Sequence, residues 1–237
     1  MAIINVVKFK AVFFDAGETL VHPAPSFPEL FSAVLTREGH PRTDDEVRHA
    51  SAVISERFSA AAKANDLWTT SPERSERFWG SVYDLMIEAL ELPSANGLRA
   101  TMYAEFTDLS NYALFDDVPS ALAHLRSQGV ILGIVSNFEP WLEDLLGSLG
   151  VRDAFPVRVI SGREGIEKPD PRIYELAMQR AGVTPAESAY VGDNPEFDVD
   201  PPAALGMFPV LIDRRNRHPE HAGIRLTHLD QLAEALA

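Results

Sequence analysis

Nearly unbroken apolar stretches recur along the chain at KAVFF (10–14), VILGIVS (130–136), VRVIS (157–161), SAYVG (188–192) and FPVLID (208–213). A strand with one face in water alternates apolar and polar positions, whereas continuous runs of this length suit strands covered on both faces, as in a parallel sheet. Between these runs the spacing changes. VPSALAHLRSQG (118–129), EPWLEDLLGSLG (139–150) and DPRIYELAMQRAG (170–182) place apolar residues three and four apart. That spacing predicts amphipathic helices, two of them closed by Gly150 and Gly182. From about residue 113 onward the chain reads as an alternating β/α unit, and the fold class as α/β.

Residues 22–112 follow another rule. FPELFSAVLTREG, DDEVRHASAVISERFSAAAKAN and PERSERFWGSVYDLMIEAL keep the helical interval throughout and are punctuated by Pro, Gly and Ser-Pro. The pattern predicts an all-α helical insertion, 22–112, after the first strand of a core formed by 1–21 and 113–237. Such a domain over the strand ends would enclose a ligand, because open α/β sheets bind outside the carboxyl ends of their strands. There is no internal repeat and no low-complexity segment.

Composition narrows the partners. The formal net charge of −14 opposes a nucleic-acid backbone or an anionic membrane surface, while a small anionic substrate stays open if a metal or local cations neutralise it. The 237 residues contain no cysteine, which excludes disulfides, thiolate metal sites and a cysteine nucleophile. No apolar run approaches the roughly 18 residues that span a bilayer. The opening MAIINVVKFKAVFF is interrupted by Lys8 and Lys10 and lacks the plan of a signal peptide. A cytoplasmic protein, monomer or homodimer, is the expectation.

Polar clusters sit where strands end. Asp15 and Thr19 follow the first strand, Ser136 and Asn137 end the second, Lys168 opens KPDP, and GDNPEFD (192–198) follows the fourth. Each has an ordinary reading: a Ser-Asn turn, a helix start capped by Asp170 with Pro171, a turn before a helix. In a parallel sheet, however, these ends converge on one edge. A phosphoryl substrate would then give each a task. Asp15 is suited to act as a carboxylate nucleophile, and Asp193 to join it in holding Mg²⁺, which prefers oxygen ligands. Ser136, the Asn137 backbone and Lys168 supply donors and positive charge to the anion.

In this order, FFDAGETL, IVSN, KPDP and YVGDNPEFD resemble the four motifs of the haloacid dehalogenase superfamily, and residues 22–112 its type 1 cap. The resemblance implies a Rossmann-like core with helices on both faces and a Mg²⁺-dependent phosphatase-like hydrolase. It further implies that Asp15 is the nucleophile, that Thr19 and Ser136 bind the transferred group, that Lys168 organises the site, and that Asp193 and Asp198 serve the metal. The backbone carbonyl of Gly17 would be a further metal ligand.

Gly17 also marks a departure. Phosphatases of this superfamily carry a second aspartate there as general acid and base, help worth typically 10²–10⁴-fold. Glu18 and His22 are the nearby candidates for that role, each of which also reads as a surface or hinge residue. The 2-haloacid dehalogenases share the absence, and KPDPRIY places Tyr174 as they do; Asp193, which those metal-independent enzymes lack, weighs against that reading. Phosphonoacetaldehyde hydrolases share it too, but use a cap lysine, and the insertion offers only Lys63. A non-catalytic module that binds a phosphorylated ligand or a protein is the remaining alternative. In the insertion, Trp68, Trp79, Phe58, Phe78 and Tyr83 read either as a pocket or as packing.

Overall fold

The structure, a computed structural model, describes residues 8–64, 66–93 and 97–237. The first half of the opening segment weighed above as a leader therefore lies outside the described residues. The strands are β1 (Ala11–Phe14), β2 (Val21–Pro23), β3 (Tyr112–Leu114), β4 (Ile131–Ser136), β5 (Val157–Ile160), β6 (Ser188–Gly192), β7 (Phe208–Ile212) and β8 (Arg225–Leu226). Six of them form one sheet in the order β5-β4-β1-β6-β7-β8, with every pairing parallel. The five expected apolar runs are its five longer strands.

The chain divides into two compact units, one comprising the residues up to Val21 with Leu114–Ala237, the other His22–Ala113. In the first, Ala11, Val12, Phe13 and Phe14 are all fully buried, so both faces of β1 are covered. That is why the run is continuous rather than alternating. Ala11 and Phe13 join Ile173, Tyr174, Ala177 and Met178 of the helix Pro171–Ala181 in one apolar cluster. The helix opens at Asp170, whose side chain accepts from the Arg172 N–H, and ends at Gly182 in the left-handed conformation, φ 68°. Proline at its first turn and glycine at its end is the usual asymmetry of helix termini.

The topology decides where chemistry can sit. The chain runs from β1 to β4 and β5 on one side of the sheet, then returns to β6 and β7 on the other. The order reverses between β1 and β6, and it is at such a switch point that the carboxyl ends of open α/β sheets leave a crevice. This arrangement is a Rossmann-like α/β fold.

The second unit is helical, with Phe27–Arg37, Asp44–Ala50, Ala52–Ala64, Pro72–Ala89 and Leu98–Glu105. Three of these helices start at side-chain caps: Ser26, Ser71, and a reciprocal pair of Thr43 with Glu46. Phe31, Val34, Leu35, Tyr83, Met86 and Met102 form its core. Of the five aromatic residues weighed above, Trp68, Phe78 and Tyr83 are packing, 3%, 2% and 2% exposed, with the Trp68 and Phe78 rings stacked at 5.1 Å; Phe58 and Trp79 are half-buried. The short strands β2 and β3 pair with each other where the chain passes between the units. No described helix is long and apolar enough to cross a membrane.

Candidate active site

Asp15 is the first residue past β1, and its N–H donates to the Val191 carbonyl of β6 at 2.9 Å, carrying the sheet ladder one step further. Its side chain is 10% exposed. Ser136 Oγ, at the end of β4, donates to Asp15 Oδ1 at 2.9 Å, and Lys168 Nζ donates to the same oxygen at 2.8 Å. Both donors use Oδ1, so Oδ2 is the oxygen left to face a ligand.

Lys168 reaches this point because its backbone is fixed. The Asn137 side chain grips it from both sides, Nδ2 donating to the Lys168 carbonyl at 2.8 Å and Oδ1 accepting from the Lys168 N–H at 2.7 Å. Asn137 thus spends its side chain on the lysine loop. The Lys168 ammonium, 3% exposed, also donates to Asp198 Oδ1 at 2.6 Å and to Tyr190 Oη at 3.2 Å. Burial alone would lower its pKa; the Asp15 and Asp198 carboxylates override that and raise it, so the lysine stays a cation.

Asp193 and Asp198 come from the turn after β6. Pro195–Val199 forms a π-type turn whose Asp198 Oδ2 accepts from the Asn194 N–H at 3.0 Å. Gly192 makes the close approach possible, because a Cβ there would lie 2.3 Å from Asp198 Cγ. Ligand oxygens of Asp15, Asp193 and Asp198 all lie within 4.8 Å of one another. Part of Asp193 reaches the surface, yet its pKa stands well above the ordinary carboxylate range, first through burial and then through the Asp15 and Asp198 charges. Asp198 is raised too, by burial, with Lys168 opposing. Three carboxylates against one lysine leave the cluster short of positive charge. An all-oxygen donor set with that deficit fits a hard divalent cation.

Thr19 is fully buried, and its Oγ1 has no hydrogen-bond partner. A buried hydroxyl left unpaired at such a place calls for an explanation. At Gly17 an added Cβ would meet nothing within 4 Å. Glu18 is not an idle carboxylate: it pairs with Arg215, Nε donating to Oε2 at 2.6 Å, and holds a left-handed φ of 55°. His22 Nδ1 lies 2.8 Å from the Pro23 carbonyl, and Lys63 is exposed on its helix. The Tyr174 hydroxyl donates to the Phe197 carbonyl, bracing the turn that carries Asp198.

Reading the sequence missed two groups. Tyr190, in the middle of SAYVG, accepts from Lys168 and donates to the Val135 carbonyl at 2.6 Å; a polar tip inside an otherwise apolar buried strand was its only signal. The other is DRRNR (213–217), which follows β7. Arg214 binds the Thr19 carbonyl, Arg215 binds Glu18, and Arg217 opposes the rise in the Asp193 pKa.

The profile of haloacid dehalogenase-like hydrolases matches residues 9–206. Phosphoserine phosphatase of Thermus thermophilus is 39% identical over 158 residues, 63% of this chain and 63% of its own. (S)-2-haloacid dehalogenase 4A of Burkholderia cepacia is 27% identical over 94% of this chain and 91% of its own. Among solved structures, Bacillus subtilis YfnB bound to magnesium superposes with a TM-score of 0.78 at 15% identity, covering 97% of this chain and 99% of that one; at that identity it speaks for the fold alone. The first curated relatives are matched over only 44% to 63% of their own length. The profile spans both the strand-end clusters and the helical segment between them, and the chain belongs to the haloacid dehalogenase-like hydrolase family.

Proposed function

We propose that the protein is a Mg²⁺-dependent phosphohydrolase that acts on a small phosphorylated substrate through Asp15. The observation that carries this reading is the convergence of Asp15, Asp193 and Asp198 within 4.8 Å. A lone carboxylate would suffice for attack on carbon; a second and third beside it repel an anionic substrate unless a cation is shared among them. Asp15, Asp193, Asp198 and the Gly17 carbonyl would hold the ion, the two oxygens of Asp198 having a lone pair each beyond their present bonds. When bound, the ion supplies charge neutralisation at the phosphoryl oxygens.

The chain's own residues do the rest. Lys168 and Ser136 fix Oδ1 of Asp15, so Oδ2 is aimed at phosphorus. Its attack forms the P–O bond of an aspartyl-phosphate while the ester P–O bond breaks and the leaving oxygen departs with the electron pair, taking its proton from solvent. Water then attacks phosphorus and gives a proton to solvent as the bond from phosphorus to the Asp15 oxygen breaks, releasing phosphate and restoring the carboxylate. The buried Thr19 hydroxyl and the Asn137 N–H are donors for the transferred group. With glycine at 17, the leaving alcohol receives no proton from the usual place, so the enzyme favours good leaving groups.

Loss of Mg²⁺-dependent phosphate release in Asp193→Asn tests this reading, and full retention of activity in that variant would sink it. A second reading rests on Gly17: the Burkholderia dehalogenase aligns along nearly the whole chain, as does a glyceraldehyde 3-phosphate phosphatase of Methanothermobacter thermautotrophicus, so the alignments leave the choice to the site. Halide leaves without a proton, which suits Gly17, and that reading requires activity that ignores Asp193.

A further inference from the structure

The segment from Asp15 to β2 is closed mainly by its own backbone. Leu20 and Val21 N–H groups donate to the Ala16 carbonyl at 2.8 and 2.9 Å, and the Glu18 N–H donates to the Val21 carbonyl at 2.8 Å. One carbonyl in it is held by a side chain 195 residues away. Arg214 donates from Nε and Nη2 to the Thr19 carbonyl, at 3.1 and 2.9 Å.

The same guanidinium is fixed on its other edge. Nη1 and Nη2 donate to the two oxygens of Asp117 at 2.8 and 2.9 Å, and Cζ lies 3.9 Å from the centre of the Phe115 ring. The Arg214 and Asp117 side chains are 7% and 0% exposed. Asp117 is anchored in turn by the Leu229 N–H at 2.7 Å. The planar fork of arginine meets a carboxylate and a carbonyl at once, which a lysine ammonium on a flexible stem cannot reproduce. Every nitrogen of Arg214 is occupied, so this cation is not there to meet a substrate. What it holds is the residue whose hydroxyl is fully buried and unpartnered.

We propose that Arg214 is a positioning residue: clamped against Asp117, it fixes the Thr19 backbone and thereby presents the Thr19 hydroxyl to the anion bound beside Asp15. This rests on the reading of Asp15 as the nucleophile. Arg214 touches neither substrate nor reacting atoms, and its effect passes through Thr19.

A double-mutant cycle isolates that path. Arg214→Lys, Thr19→Ala and the double variant are compared for hydrolysis of 4-nitrophenyl phosphate with Mg²⁺ and for binding of inorganic phosphate by calorimetry. Arg214→Lys is expected to lower kcat by about tenfold or more while KM moves less than about threefold, the signature of an interaction realised in the transition state. In the Thr19→Ala background the same change should cost less than about threefold, because coupled residues do not add. Multiplicative effects would overturn the positioning role and leave the phosphohydrolase reading standing. If Arg214→Lys does not fold, Arg214→Gln with Asp117→Asn, which removes both buried charges together, enters the same cycle. A wild-type protein that binds phosphate without hydrolysing it carries the cycle on binding alone, with the same non-additivity required. A wild-type protein that neither binds nor hydrolyses phosphate overturns the underlying reading and this proposal with it.

Discussion

The Lys168 ammonium stands between two carboxylates, 2.8 Å from Asp15 Oδ1 and 2.6 Å from Asp198 Oδ1. Residues 153 and 30 positions away in the sequence meet on one buried charge. The lysine holds the Asp15 carboxylate in place and keeps the turn after β6 against the end of β1.

Removing that charge exposes the repulsion it suppresses. Lys168→Met is expected to lower stability by about 3–5 kcal/mol, the usual cost of breaking a buried pair and leaving its partner unpaired. Phosphate release should fall by about 10²-fold or more. Mg²⁺ should recover part of the lost Tm, since it offers the carboxylates another cation. Thermal unfolding with and without Mg²⁺ checks this, and a Tm unmoved by the substitution would contradict it.

Open space at Gly17 permits a gain. An added Cβ meets nothing within 4 Å, so Gly17→Asp is expected to be tolerated. A carboxyl there would provide the missing proton transfer, worth about 10²–10⁴-fold. The gain should appear with alkyl phosphates, whose leaving groups need a proton, and be small with 4-nitrophenyl phosphate. Steady-state kinetics on both substrates decide the matter; equal changes on the two would mean the side chain acts otherwise.

Glu18 is committed to Arg215, so its carboxylate is expected to be dispensable for proton transfer. Glu18→Gln should keep kcat within about threefold, whereas loss of a general acid or base costs about 10²-fold or more. The pH–rate profile of the variant supplies the check, because an acid or base would take one limb of the profile with it.

Acid should weaken the clamp beneath Thr19. Burial would raise the Asp117 pKa, but the Arg214 hydrogen bonds and the Leu229 N–H outweigh it and leave the carboxyl below its ordinary value. A carboxyl depressed in the folded state stabilises the fold above its unfolded pKa of about 4, and that contribution is lost as pH falls through the lower folded value. Wild type and Asp117→Asn should therefore differ most in stability at neutral pH and converge below about pH 4. Denaturant unfolding across that range tests it, with a constant difference as the contrary result.

Much of this was legible in the chain. The continuous apolar runs gave the five longer strands because burial on both faces forbids alternation, and the polar clusters after them gave Asp15, Ser136, Lys168 and Asp198 because parallel strand ends converge. The short strands β2, β3 and β8 carry too few residues for any period to register. Tyr190 was hidden because its apolar ring serves the core while only its hydroxyl serves Lys168. Arg214 escaped for a different reason: DRRNR at the end of β7 obeys the same strand-end rule, but nothing in the run marks which arginine is buried. Its burial arises only when Asp117 and Phe115 come to meet it.

The other predictions depend on the proposed attack of Asp15 on phosphorus at a Mg²⁺-bearing site. The most direct test is phosphate release from 4-nitrophenyl phosphate, with and without Mg²⁺, by wild type and Asp15→Asn, beside halide release from 2-chloropropionate. Mg²⁺-dependent phosphate release that the substitution abolishes, with no halide, is the expected result. Metal-independent halide release through Asp15, with no phosphate released, would contradict it.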